Sequence, residues 1–300
     1  MIIRKATPED AGELIDMFKT VYSARHGQTK ADIVEKDLKN PGMLSLVAVE
    51  DGRIVGHGQL RPPEYPFSRH ENDGVELARL GVHRDYQHRG IGRQLVQALT
   101  EIIEARSPGF VFSDFNTSTD YSQRVMRDLE LKPIALLLAL GPDYAGIGQS
   151  NSFLVGMKVR EDAKDQQIVY VPSKYRELAE SVYDSLGLKR DIREAAGDAD
   201  ISNFEKYLAQ HLFYSMFEKD SNPYLLLIDV SRPGTSKRVR LAEKLGLRVE
   251  GLVPLVREPD GTRSDKLIMS KVPELDPSKI KVYSDLYERF VKLVLNRGNK

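Results

Sequence analysis

The chain has 300 residues, 41% hydrophobic and 29% charged, with Lys plus Arg and Asp plus Glu balanced at 44 each. That length and composition suit about two globular domains and exclude a disordered chain or a small stapled module. Zero formal charge argues against broad binding to nucleic acid or an anionic membrane, so any anion site is local; with no cysteine, disulfides and thiolate chemistry are excluded and a cytoplasmic setting is expected.

Ile2 to Lys5 reads as a short strand. Thr7-Pro8-Glu9-Asp10 supplies a hydroxyl cap, a first-turn proline and two early acids, so a helix is expected from Pro8, with Leu14, Ile15, Phe18, Val21 and Tyr22 on its apolar face. A more charged helix follows across Lys30 to Leu38. Two strands, Leu44 to Glu50 and Arg53 to Leu60, flank Asp51-Gly52, a pair that tolerates the positive φ angles of a two-residue hairpin turn. A long loop carrying Glu64, Glu71 and Asp73 leads to a strand over Val75 to Val82. No stretch approaches the roughly 20 apolar residues of a membrane span, and Met1 to Ala6 is too short for a signal segment, so a soluble, unprocessed protein is expected.

Leu80-Gly81-Val82-His83-Arg84-Asp85-Tyr86-Gln87-His88-Arg89-Gly90-Ile91-Gly92 then joins this strand to a helix with Leu95, Leu99, Ile102 and Ile103 on one face. Glycines at 90 and 92 allow a tight turn that bares backbone N–H groups at a helix start, where the dipole favours negative charge. His83, Arg84, His88, Arg89 and Arg93 add one positive spot to a neutral chain, as a pyrophosphate cradle requires. Arg93-Gln94 is not the Lys-Ser or Lys-Thr pair of a P-loop, and Leu95 stands where a dinucleotide fingerprint needs its third glycine.

A strand over Gly109 to Phe115, a helix over Tyr121 to Leu129 and strands over Ile134 to Leu140 and Ser152 to Val159 complete the first part. The polar run from Arg160 to Gln167 suggests a boundary. Beyond it come a strand at Ile168 to Val171, a helix from Ser173 to Leu186 closed by Gly187, a helix across Asn203 to Glu218 and a strand at Tyr224 to Val230. A helix from Ser236 to Leu245, strands over Leu247 to Val256 and Ser264 to Val272, and a C-terminal helix from about Pro277 to Leu295 follow. The order strand, helix, strand, strand occurs in both 113–159 and 228–272, which suggests a partial duplication.

In this setting Gln87-x-x-Gly90-x-Gly92, approached through Leu80-Gly81-Val82, resembles the coenzyme loop of the GCN5-related N-acetyltransferases (GNAT family). The opening Ile3-Arg4-Lys5-Ala6-Thr7-Pro8-Glu9-Asp10, the hairpin and the element order over the first 159 residues are similar too. The resemblance implies an α/β (α+β) fold, a central mixed sheet flanked by helices. It implies a GNAT domain at 1–160, and at 161–300 a degenerate GNAT-like partial domain without the loop. It further implies acetyl-CoA as co-substrate, with no metal, and direct attack of an amine on the thioester. Leu80, Gly81 and Val82 would pair with the pantetheine arm. Gln87, His88, Arg89, Gly90, Ile91, Gly92 and Arg93 would hold the pyrophosphate, Asn116 would contact the coenzyme, and Glu76 would be the general base.

The chain departs from that pattern at Met126, where many members place an acidic tyrosine, and at Glu130-Leu131 in place of Gly-Phe; Tyr121 is the substitute proton donor nearest in sequence. A non-catalytic acyl-CoA sensor or scaffold is therefore the alternative reading. His57, His83 and His88 lack metal-ligand spacing, Phe110, Phe112 and Phe115 read as core, and the apolar side of the last helix reads as packing within the second domain.

Overall fold

A short strand and two helices precede three successive antiparallel strands, the first two joined by the tight Asp51-Gly52 turn. The computed structural model describes residues 1–22, 29–63, 74–141, 150–160, 167–194, 212–213, 225–257, 263–271 and 275–296. They divide into two compact units, with the chain passing from one to the other between Ser113 and Asp114. The expected acidic cluster Glu64, Glu71 and Asp73 lies outside the described residues.

In the first unit, β1 (Ile2–Lys5), β2 (Leu44–Glu50), β3 (Arg53–Arg61) and β4 (Gly74–Val82) pair antiparallel in that order, and the start of β5 (Phe110–Asn116), Phe110 to Phe112, lies parallel to β4. The β2–β3 turn is as expected: Asp51 and Gly52 sit at φ +50 and +77. Pro8–Asp10 form one 3₁₀ turn before α1 (Ala11–Val21) begins; Asp10 accepts the Thr7 amide at 2.7 Å and is clamped by Arg4 at the same distance. α2 (Ala31–Lys39) packs on α1, and α3 (Ile91–Arg106) packs on β3.

The α3 contact depends on two glycines. A Cβ at Gly56 would lie 2.9 Å from Leu95 Cδ1, and one at Gly58 would lie 2.7 Å from Leu99 Cδ1. Two residues apart, they share a face of β3, so the fully buried leucines of α3 press directly on the backbone. Each buried leucine contributes about 1.5–3 kcal/mol, which fixes the helix start against the sheet. His57, between them, faces α1, its ring 5.0 Å from Phe18.

In the second unit, α4 (Asp120–Asp128), β6 (Lys132–Gly141) and β7 (Asn151–Val159) follow β5. Then come β8 (Gln167–Val171), α5 (Arg176–Leu186) and β9 (Arg190–Glu194), a parallel β-α-β piece whose helix ends at Gly187 with φ +66. β10 (Leu212–Phe213), β11 (Leu225–Asp229), α6 (Thr235–Lys244), β12 (Arg248–Arg257), β13 (Arg263–Ser270) and α7 (Asp285–Leu295) complete it. α7 packs on α5, β6 and β12, burying Tyr287, Phe290, Val291 and Val294. Among the described residues no helix is long and apolar enough to cross a membrane.

Three expectations change. The helix across Asn203 to Glu218 falls mostly outside the described residues, and Leu212–Phe213 are a strand paired with Leu225 and Leu226. β9 is unforeseen, since Arg190-Asp191-Ile192-Arg193-Glu194 has a single apolar residue. The last helix begins at Asp285 because the preceding backbone is already committed. Lys281 N donates to Thr117 O at 3.0 Å, and the buried Gln123 amide bonds Lys281 O at 2.9 Å and Tyr283 N at 3.2 Å.

The second unit repeats itself in detail. β6 and β12 pair antiparallel at Ala135 and Gly251, each the fourth residue of its strand. The eighth residues, Ala139 and Leu255, both sit at positive φ, and each amide is satisfied from the neighbouring strand, by Ser152 Oγ at 3.1 Å and Asp265 Oδ1 at 2.9 Å. Thr117 N bonds Ser152 O as Val230 N bonds Asp265 O, both at 3.0 Å, and Leu131 N bonds Met126 O as Leu247 N bonds Ala242 O, again at 3.0 Å. One difference is chemically consistent. Leu138 N donates to Glu250 Oε1 at 3.2 Å, whereas the matching position beside Ile134 is Pro254, which has no N–H to satisfy.

Candidate functional site

The site in the first unit begins where β4 loses its parallel neighbour. Gly74, Val75 and Glu76 pair with Phe110, Val111 and Phe112, and the ladder stops there. One more tie follows, from Ser113 Oγ to Leu77 O at 2.6 Å. From Ala78 to Val82, β4 keeps β3 on one side and has no strand partner on the other among the described residues. Leu80, Gly81 and Val82 are thus backbone with one unfilled ladder. Gly81 is packed closely beside α1, where a Cβ would meet Val21 Cγ1 at 3.1 Å.

The strand runs directly into the glycine loop. Arg84–Tyr86 form a 3₁₀ turn capped by His83, whose Nδ1 accepts the Asp85 amide at 3.2 Å, and Gln87 Nε2 donates to Val82 O at 3.2 Å. His88 and Gly90 take φ +62 and +78, so Gly90 begins α3 in the left-handed region with no side chain capping the helix. The first amides of α3, on Ile91, Gly92 and Arg93, have no intrahelical acceptor and stand at the positive end of a 16-residue helix. Space above the turn is open: a Cβ on Gly90 would meet nothing within 4 Å. His88 and Arg93 are exposed beside it, while Arg89 is partly engaged, 3.7 Å from Glu50 and 4.8 Å from the Tyr86 ring centre.

Glu76 occupies the last residue of β4 still paired with β5, and is 4% exposed. Its cross-strand partner is Arg61, whose guanidinium lies 2.6 Å from Oε1. The carboxylate therefore has a buried counter-charge where the β4–β5 ladder ends. Sequence reasoning missed Arg61, because 15 residues and a loop separate it from Glu76 and only the register brings them together. It also missed Ser113, Tyr22, whose hydroxyl lies 3.5 Å from Leu80 O, and His57. Burial pushes the His57 pKa down to about 4, so the ring stays neutral; its Nδ1–H donates to Arg79 O at 3.0 Å.

The remaining candidates belong to the second unit. Asn116 ends β5, where Oδ1 accepts the Ser118 amide at 2.8 Å and the carbonyl accepts Ser122 Oγ at 3.1 Å, so it shapes the entry to α4. Tyr121 is 47% exposed on the first turn of α4. Met126 is fully buried against Gly156 and is a core residue. A cleft of about 740 Å³ beside α7, with Lys174, Glu177, Glu288 and Arg289 on its walls, contains none of the site residues. Among the described residues, no three His, Asp or Glu side chains gather as a metal site requires.

An amide-lined helix start fed by a strand with an open edge is an arrangement suited to phosphate and extended-chain contacts. Residues 12–129 match the family model described as Acetyltransferase (GNAT) family, and the chain carries a GNAT acetyltransferase domain in this segment. No curated protein matches the sequence. Among solved structures, the chain is similar to the ribosomal-protein-alanine N-acetyltransferase from Brucella melitensis, with 20% identity over 53% of this chain and 100% of that one and a TM-score of 0.45. It is also similar to the aminoglycoside 6'-N-acetyltransferase from Enterococcus faecium, with 20% identity over 53% and 97% and a TM-score of 0.41. The same figures hold for an aminoglycoside 6'-N-acetyltransferase complexed with coenzyme A.

Proposed function

We propose that the protein transfers the acetyl group of acetyl-CoA to an amine. The observation that carries this reading is the open edge of β4 from Ala78 to Val82 running into the left-handed turn at Gly90. Leu80, Gly81 and Val82 offer backbone groups to the pantetheine arm as if to an added strand. The loop from Gln87 to Gly92, with Arg93, offers amides and charge to the pyrophosphate. Asn116 is assigned to the coenzyme by resemblance alone.

In the reaction, the amine nitrogen attacks the thioester carbon, the C–N bond forms, the C–S bond breaks and the sulfur leaves as a thiolate that takes up a proton. Glu76 is proposed to remove the proton the amine sheds, directly or through water. Its buried ion pair with Arg61 and its place at the end of the β4–β5 ladder support the role. The absence of cysteine supports a cytoplasmic setting.

We assign residues 1–160 to the acetyltransferase domain and 161–300 to a degenerate second copy of its last third. The matched bonds about Ala135 and Gly251 support duplication. In that copy β11, the counterpart of β5, pairs antiparallel with β13 along its length and with β10 at Leu225 and Leu226, where β5 instead runs parallel to β4.

Calorimetric titration of acetyl-CoA into wild type and Gly90→Glu tests the assignment. The added carboxylate projects into the open space above the turn, and binding weakened at least tenfold is expected. Wild-type protein that binds neither acetyl-CoA nor coenzyme A would overturn the reading. The buried Met126 favours one second reading, a coenzyme-binding module without turnover; amine-dependent release of free thiol separates the two.

A further inference from the structure

β4 carries one residue more than β3 can match. Gln59 faces Ala78 and His57 faces Gly81, so Gly58 stands opposite both Arg79 and Leu80. Arg79 absorbs the surplus at φ +52, a region the β-carbon of an arginine disfavours and glycine adopts freely. This bulge lies three residues beyond Glu76, the last position paired with β5. Bulges bend a strand and increase its twist, so the direction in which Leu80, Gly81 and Val82 leave the ladder is set at Arg79.

Two side chains from separate elements converge on that residue. Asp37 of α2 forms an ion pair with the Arg79 guanidinium, both side chains being about one-tenth exposed. His57 of β3, 2% exposed, holds the Arg79 carbonyl through Nδ1 at 3.0 Å. One contact fixes the side chain and the other the backbone, so a strained conformation is held from both ends. Neither Asp37 nor His57 lies on the open edge itself.

We infer that Asp37 and His57 are positioning residues that lock the Arg79 bulge and thereby aim the open edge of β4 at the pantetheine arm. The inference rests on the coenzyme reading above for its ligand, and on the bulge alone for its mechanics. A pair that merely tied α2 to the sheet would stabilise the protein without controlling β4.

The test uses full-length wild type, Asp37→Asn, His57→Phe and the double variant Asp37→Asn with Arg79→Gly. Amide hydrogen exchange is followed over the Gly74–Val82 segment without ligand, together with calorimetric binding of coenzyme A. Asp37→Asn is expected to speed exchange there and weaken binding roughly tenfold, and His57→Phe to act in the same direction. The double variant should recover both to within about threefold, because glycine holds the positive φ unaided and no buried guanidinium is left without its charge partner.

Wild-type exchange in Asp37→Asn would overturn the lock, as would loosening that glycine at 79 fails to rescue. If the variants show the expected loosening and rescue of exchange but wild type binds no coenzyme A, the acetyltransferase reading fails and the lock stands.

Discussion

Glu250 allows a stability prediction whose sign and size both come from its surroundings. The side chain is 1% exposed in β12, and burial pushes its pKa from 4.5 up to about 8, against the opposing pull of Ser270, the Leu138 amide and the charge of Arg248. The folded protein therefore holds this proton at neutral pH, while the unfolded chain releases it. Because the folded state binds the extra proton, its contribution is full below the unfolded value of 4.5, falls as pH rises and is gone above about 8. The slope is about 1.4 kcal/mol per pH unit, so from pH 5.5 to 7.5 this single group removes about 2–3 kcal/mol. Glu250→Gln keeps the shape and an acceptor for Leu138 N but cannot titrate. Urea unfolding of both proteins at pH 5.5, 6.5 and 7.5 should show the variant gaining on wild type by about that amount. Parallel pH dependences would refute the reasoning and mean that Glu250 ionises in the fold at an ordinary pH.

Glu76→Gln should lower acetyl transfer by about two orders of magnitude while leaving coenzyme affinity within about twofold, measured by steady-state thiol release and calorimetry; undiminished turnover would remove Glu76 as the base. Gly251→Ala places a Cβ 2.4 Å from Ala135 Cα and from Ile134 O, so β6 and β12 must separate, and a loss of about 2–3 kcal/mol is expected by chemical denaturation. Asp265→Asn leaves the Arg190 guanidinium, paired at 2.7 Å with neither side chain exposed, without its counter-charge, and should cost about 3–5 kcal/mol by the same measurement.

Most elements were legible because local chemistry agreed with the final packing. Asp51-Gly52 predicted a turn with two positive φ angles, Gly187 predicted a helix end, and the Gly90 loop predicted a helix start with unsatisfied amides. What escaped depends on register or long-range pairing. Gly56 and Gly58 look like interruptions of a strand until Leu95 and Leu99 are seen against them. β9 forms from a mostly charged pentapeptide because Arg190 is buried on Asp265 beside the Tyr183 ring, a contact that its composition does not announce. Asp37 reads as an ordinary helix-surface acid, and only the extra residue in β4 gives it Arg79 as a partner. The C-terminal helix starts late for the same kind of reason: Gln123 is 158 residues from the carbonyl it holds.

The pairing of Ala135 with Gly251 has a consequence for synthesis of the chain. The partner of β6 leaves the ribosome more than a hundred residues after β6 itself, a delay of roughly 6–20 s at ordinary elongation rates of about 5–20 residues per second. Throughout that interval Ile134 to Leu138, an unbroken apolar run, has β7 on one side and nothing on the other. Such an edge is a template for another nascent chain. Translation that stops between Val159 and Arg248 should therefore yield a product that aggregates although the segment matching the GNAT family model, 12–129, is already made.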